Sequence, residues 1–171
     1  MNIQFRKVSI EDAEMILLWR NHPEVRNYSF NKSMISFDEH LEWIKKTLAS
    51  DRKLMLIAVD LLLKKDIGVV LFSYLDDFKA EISIYLNYDM FGKGYGSSVI
   101  RESIEYLTLL KPSIIEVIAN VVPGNIRSKK VFEKAGFRLS HHVYHKKVES
   151  CQVILPMQES QVNNTQDVEE I

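Results

Sequence analysis

Cysteine is almost missing from this chain of 171 residues, with Cys151 alone. No internal disulfide can form, and without a neighbouring His or Cys this thiol reads as a buried strand residue rather than a nucleophile. Net charge is missing as well: 22 basic residues face 23 acidic ones. A nucleic-acid partner held by phosphate neutralisation is therefore not expected. Long apolar runs are absent too. The opening MNIQFRKVSIED has no apolar core of a signal peptide, and LMLIAVDLLL is broken by Asp60 and too short to span a bilayer. No membrane partner is expected, and the cytoplasm is the expected location. Glycine is scarce, six in all, so a place where three of them cluster asks for a physical reason.

What is present is a single domain's worth of alternating strand and helix patterns, with no internal repeat. NIQFRKV reads as a strand. Ser9 with Asp12 has the form of a capping box, opening a helix whose Ile10, Ala13, Leu17 and Leu18 share a face and which Pro23 ends. Ser36 with Glu39 opens another, in which Phe37, Leu41, Ile44 and Leu48 mark the buried stripe and His40 its margin. KLMLIAVD, IGVVLFSYL and AEISIYLN, separated by short charged turns, predict an antiparallel meander. A long helix follows. SIIEVIANV reads as a strand buried on both faces. A helix from Asn125 to Ala135 closes at Gly136, and two strands follow between Phe137 and Met157. The domain is expected to span 1–157, and the polar, aromatic-free segment 158–171 to be a disordered tail.

The glycine cluster lies in FGKGYGSSVIRESIEYL, where Gly92, Gly94 and Gly96 alternate just before the long helix. No Gly-Lys-Ser/Thr closes the turn, and the glycine spacing and later acidic residue of a dinucleotide fingerprint are missing. Free amides at a helix start, with the positive end of the helix dipole, still suit a diphosphate without any basic side chain. The histidines of SHHVYHKK offer no metal site: His141 and His145 on one strand face would lie ~13 Å apart, with His142 opposite. No metal is expected.

FGKGYGSSVI after EISIYLN, followed about thirty residues later by NIRSKKVFEKAGF, resembles the two signature segments of the GNAT N-acetyltransferases. The resemblance implies an α/β (α+β) GNAT fold: a mixed, mostly antiparallel sheet of about seven strands, helices on both faces, and a splay between two central parallel strands, EISIYL and IIEVIA. It implies acetyl-coenzyme A as co-substrate. The pyrophosphate would lie on Phe91, Gly92, Lys93, Gly94, Tyr95, Gly96 and Ser97, the pantetheine arm would pair with the backbone at Leu86, and Asn125 and Ser128 would lie along it. An amine would attack the thioester directly in a ternary complex, so orientation dominates catalysis. Alternation along EISIYL puts Glu81, Ser83 and Tyr85 on one face as the candidate catalytic wall. Two positions depart from the family. Phe91 stands where an Arg or Gln is usual, and Phe132 where many members place a proton-donating tyrosine. Tyr85, Tyr95, Tyr144 or water is left to supply that proton.

The acceptor side is expected in WRNHPEVRNYSFNKSMISFDEHLEWI, with Arg20, Asn21, His22, Tyr28 and His40 as substrate-binding residues. WRNHP followed by SFDEHLEWI resembles the acetyltransferases of the pseudaminic acid pathway. That resemblance implies a small-molecule amine as substrate: the 4-amino group of a UDP-linked 4-amino-4,6-dideoxy sugar. Two alternatives stay open: an N-terminal acetyltransferase of ribosomal or other proteins, and a non-catalytic module that binds acetyl-coenzyme A. A homodimer is compatible with each.

Overall fold

The computed structural model describes residues 1–140 and 143–148. Cys151, His141, His142, the end of the last expected strand and the expected tail lie outside them.

Seven strands form one sheet in the order β1-β2-β3-β4-β5-β7-β6. They are β1 (Ile3–Lys7), β2 (Lys53–Asp60), β3 (Lys65–Tyr74), β4 (Lys79–Leu86), β5 (Glu116–Asn120), β6 (Arg138–Ser140) and β7 (Val143–Lys147). β2, β3 and β4 make the expected antiparallel meander, β1 pairs antiparallel with β2 on its outer side, β4 and β5 are parallel, and β5 pairs antiparallel with β7. Helices α1 (Ala13–Asn21), α2 (Pro23–Arg26), α3 (Phe37–Leu48), α4 (Tyr95–Leu110) and α5 (Ile126–Lys134) complete the fold.

Two cores explain why β2 reads as one unbroken apolar run. Leu54, Leu56 and Ala58 pack with α4 and α5 residues such as Ile100, Ile104 and Phe132. Met55 and Ile57 point the other way, against Ala13, Ile16, Trp19 and Ile44 of α1 and α3. A strand covered on both faces has no use for alternation. The second layer stops short of β5, and this corrects one expectation. Val117 and Ala119 are buried, but Glu116 and Ile118 on the opposite face are only half-buried. The strand therefore alternates after all.

The helix stripes also differ from the periodicity reading. In α1 the buried residues are Ala13, Ile16 and Trp19, while Leu18 is exposed. The turn Ile10–Asp12 is a tighter 3-10 helix, which shifts the phase of the α-helix after it. In α3, Ser36 caps the helix by accepting the Glu39 amide, as expected. Its buried stripe, however, is His40, Ile44 and Thr47, and Phe37 and Leu48 are exposed. Two polar residues take the inner face, so hydrophobicity alone cannot find it. Pro23 ends α1 and at once opens α2, as a proline suits a first helical turn.

Gly96 has a packing reason. A Cβ there would stand 2.8 Å from Val131 Cγ1, so the missing side chain lets α4 and α5 touch. Gly96→Ala is expected to destabilise by about 1–3 kcal/mol through overpacking, read by urea denaturation. Adding Val131→Ala should restore most of the loss, and a double variant no more stable than Gly96→Ala would contradict this contact.

Candidate active site

The site begins where two strands part. β4 and β5 pair only at Lys79–Glu116, Ala80–Val117 and Glu81–Ile118, although β4 runs on to Leu86 against β3. The phase of the free edge follows from neighbouring bonds. Asn87 N–H donates to Ile67 on the β3 side, whereas Phe78 C=O accepts from Ile115 and Glu116 on the β5 side. Backbone groups alternate between the two sides, so those of Ile84 and Leu86 face the gap. At the parting point Asn120 Nδ2 donates to Glu81 Oε1 at 2.9 Å.

The gap opens into a cleft of about 840 Å³, bounded by Ile82 to Leu86, the glycine turn, the start of α5 and the loop from α1 to α3. On the turn, Gly94 is the N-cap of α4 with φ +83° and no side-chain cap, which leaves the amides of Tyr95, Gly96 and Ser97 unclaimed by a capping group. Phe91, Gly92, Gly94, Tyr95, Gly96 and Ser97 all border the cleft, as does Leu86; Lys93 does not. Asn125 and Ser128 border it too. Asn125 Oδ1 accepts the Ser128 amide at 2.9 Å, capping α5.

Of the catalytic candidates, Ser83 and Tyr85 line the cleft and Glu81 does not. The three candidate tyrosines separate cleanly. Tyr95 Oη donates to buried Asp60 at 2.6 Å. Tyr144 is buried and stacked behind Phe132, its hydroxyl directed to Glu133. Tyr85 remains. Desolvation pushes its phenol above the ordinary value, partly countered by the nearby Arg20 charge, so the hydroxyl keeps its proton. Phe132 sits edge-on to Phe137 at 5.0 Å, a core aromatic that also borders the cleft.

On the side expected to take the acceptor, Arg20, Tyr28 and His40 line the cleft. Arg20 Nη2 donates to Asn31 C=O at 2.8 Å, while its buried Nη1 has no partner among the described residues. His40 is 3% exposed, its Nε2 likewise unpartnered, and its ring stacks on Trp43. Asn21 and His22 are occupied elsewhere. The Asn21 amide group donates to Ile35 C=O and accepts from Ile35 N–H, and His22 caps α2 and stacks on Tyr88 at 3.9 Å. Both hold the loop rather than line the cleft. Sequence reasoning passed over Trp43, one turn from His40 on α3, although spacing by three could have found it. It also passed over Asn120, and over Arg127, which lies over the Phe91 ring at 5.1 Å and 3.8 Å from Glu24 across the cleft mouth. Among the described residues no cluster of His, Cys, Asp or Glu could hold a metal ion, and no helix is long and apolar enough to cross a membrane.

Residues 2–138 match the family described as acetyltransferase (GNAT) domain. This chain belongs to the GNAT acetyltransferase family. Among curated relatives, a protein named Acetyltransferase PseH from Campylobacter jejuni is 28% identical over 137 residues, covering 79% of this chain and 82% of that one. Among solved structures, a spermidine N-acetyltransferase from Vibrio cholerae in complex with coenzyme A and spermine superposes with TM-score 0.76 at 20% identity, covering 87% of this chain and 96% of that one. An aminoglycoside acetyltransferase in complex with coenzyme A gives 0.74 at 18% identity, covering 85% and 95%. The protein is thus an acetyl-coenzyme A-dependent N-acetyltransferase, and its strand gap and helix start fit such a donor: an unpaired edge for amide groups and uncapped amides for a diphosphate.

Burial, with the Arg20 charge as a smaller contribution, holds His40 below its ordinary value near 6.5 in this GNAT enzyme. The unfolded chain therefore takes up this proton first as pH falls. The stability that neutral His40 confers is complete above about pH 6.5 and is lost as pH drops toward the folded value. Thermal melting from pH 7.5 to 5 should show a steeper decline in wild type than in His40→Gln; parallel slopes would contradict a buried neutral imidazole.

Proposed function

We propose that this enzyme acetylates the 4-amino group of a UDP-linked 4-amino-4,6-dideoxy sugar of the kind used in pseudaminic-type acid synthesis. The observation that carries the proposal is Arg20: a guanidinium with one arm tied to the loop and the other, Nη1, buried and unpartnered in the wall of the cleft. A planar fork of this kind suits a diphosphate, and the flat rings of Trp43 and Tyr28 lining the same cleft suit a nucleobase. Similarity to proteins named Acetyltransferase PseH supports the same reading.

In this account the free backbone groups of Ile84 and Leu86 hold the pantetheine arm, and the turn from Phe91 to Ser97 holds the pyrophosphate. Asn125 and Ser128 act there by shaping the start of α5. Lys93, just outside the cleft on the same turn, adds positive charge near the phosphates. Bound acetyl-coenzyme A supplies the activated acetyl group. The Tyr85 hydroxyl, kept protonated, donates a hydrogen bond to the departing sulfur in place of the tyrosine that Phe132 replaces, and the thiolate takes its proton from water. Ser83 hydrogen-bonds near the reacting centre, and Glu81, held by Asn120, relays the amine proton through water. Arg20, Tyr28 and His40 bind the sugar nucleotide, with Asn21 and His22 keeping their loop in place. The catalytic domain covers 1–157, and its soluble substrates agree with a cytoplasmic enzyme.

A peptide acceptor requires an open groove. Here Glu24 and Arg127, and the Tyr28 carbonyl with Asn125 Nδ2 at 3.5 Å, approach one another across the cleft, which favours a small acceptor over a protein terminus. Acetyl transfer should therefore be measured in parallel on UDP-linked 4-amino sugars and on N-terminal peptides. Turnover of the sugar alone is expected. Arg20→Ala should raise the sugar KM about ten-fold or more, as loss of a charged hydrogen bond does, with the acetyl-coenzyme A KM little changed. Turnover of peptides and not of sugars would overturn the proposal.

A further inference from the structure

We propose that Asp60 is a positioning residue for the acetyl donor: through Tyr95 it fixes the helix start on which the pyrophosphate lies. The inference rests on the proposed donor site and concerns residues that do not themselves touch the phosphates through a side chain.

Asp60 ends β2 and is 2% exposed; Tyr95, the first residue of α4, is 7% exposed. Both carboxylate oxygens are in use. Oδ2 accepts from Tyr95 Oη at 2.6 Å, and Oδ1 accepts the amides of Leu62 at 2.8 Å and Leu63 at 3.0 Å. No Lys, Arg or His pairs with it among the described residues. The N-terminal ammonium acts on it only at a distance, and a carboxylate buried without a paired cation persists only where hydrogen bonds replace its water. Its charge alone would oppose an anion bound at the start of α4, so its benefit there is geometric.

The turn needs such an anchor. Gly92 and Gly94 both have positive φ, and a Cβ at Gly92 would meet nothing within 4 Å. No side chain packs the turn from Gly92, and none caps the helix. Backbone that is both left-handed and sparsely packed is easily moved. The helix start is restrained by Gly96 against Val131 and by the Tyr95 ring reaching down to Asp60, with the Met1 side chain near Gly94 besides. The Tyr95 contact joins the amides of the turn directly to the end of β2. Loops that bind anions through backbone amides work only when those amides are held in a convergent set, and displacement by a fraction of an ångström weakens every one of them together.

The test is calorimetric titration with coenzyme A, beside initial-rate kinetics varying acetyl-coenzyme A. Tyr95→Phe removes one hydroxyl and is expected to weaken coenzyme A binding and raise the donor KM by about ten-fold, the scale of one charge-assisted hydrogen bond, with kcat at saturating donor changed less than about two-fold. Asp60→Ala should match it. Asp60→Asn keeps an oxygen for the Leu62 and Leu63 amides and a nitrogen to face the Tyr95 oxygen, so it should recover most of the affinity. A merely structural pair would lower the melting temperature in all three variants without this split between KM and kcat. Unchanged coenzyme A affinity in Tyr95→Phe, with wild type binding normally, would overturn the positioning role alone. Failure of wild type to bind coenzyme A would overturn the donor-site reading and this inference with it.

Discussion

Everything in this site depends on β4 and β5 ceasing to pair after Glu81 and Ile118. A parallel pair in the middle of a sheet ordinarily satisfies its amides and carbonyls along its whole length, because buried backbone groups without partners are costly. Here the second half of β4 keeps β3 on one side and has no strand on the other. The exposed edge is stable because it opens into a cleft rather than into packed side chains. The Asn120–Glu81 hydrogen bond marks the place of parting, and α4, which connects the two strands, brings its own uncapped N-terminus to the same opening. Edge and helix start are thus two sets of unpaired backbone donors and acceptors facing one space.

The proposed acceptor side is built differently, from side chains. The loop between α1 and α3 is held in shape by its own polar residues: Asn21 on Ile35, Arg26 on the carbonyls of Asn21 and Lys32, His22 on Tyr88. With these committed, Arg20 Nη1 and His40 Nε2 are left unpartnered in the wall. Burial lowers the pKa of both groups; for the imidazole this means a neutral ring, while the guanidinium stays charged, as arginine does in proteins. In the proposed reading, Arg20 beside the His40 and Trp43 rings gives the acceptor wall its polarity, while Glu24, Glu39, Arg127, Lys130 and Lys134 line other parts of the cleft. The proposed donor end relies on amide dipoles instead, so in this reading the two substrates are recognised by different physics within one cleft.

Much of this was legible in the sequence. The meander, the parallel crossover, the glycine turn and the helix beginning at Asn125 follow from strand patterning, turn chemistry and two paired motifs that local physics also supports. The faces of α1 and α3 were not, because a 3-10 turn shifts one of them and His40 and Thr47 occupy the inner stripe of the other. Asn21 and His22 could not be told from Arg20 by type, since a loop that binds and a loop that holds itself together use the same polar residues. Tyr95 illustrates the same limit at the turn: its position beside the glycines is visible in the chain, but its hydrogen bond spans 35 residues to Asp60, and no local pattern encodes it.

The central claim is that the unpaired edge of β4 holds the donor. Amide hydrogen exchange, resolved by residue and measured with and without saturating acetyl-coenzyme A, tests it directly because neighbouring residues on one strand must respond differently. The account predicts that exchange slows at Ile84 or Leu86, whose backbone groups face the gap, and at the amides of Tyr95 to Ser97, while Ser83 and Tyr85, already bonded to β3, change little. Protection that spreads evenly along β4, or exchange at Ile84, Leu86 and the start of α4 that is the same with and without the donor, would contradict it.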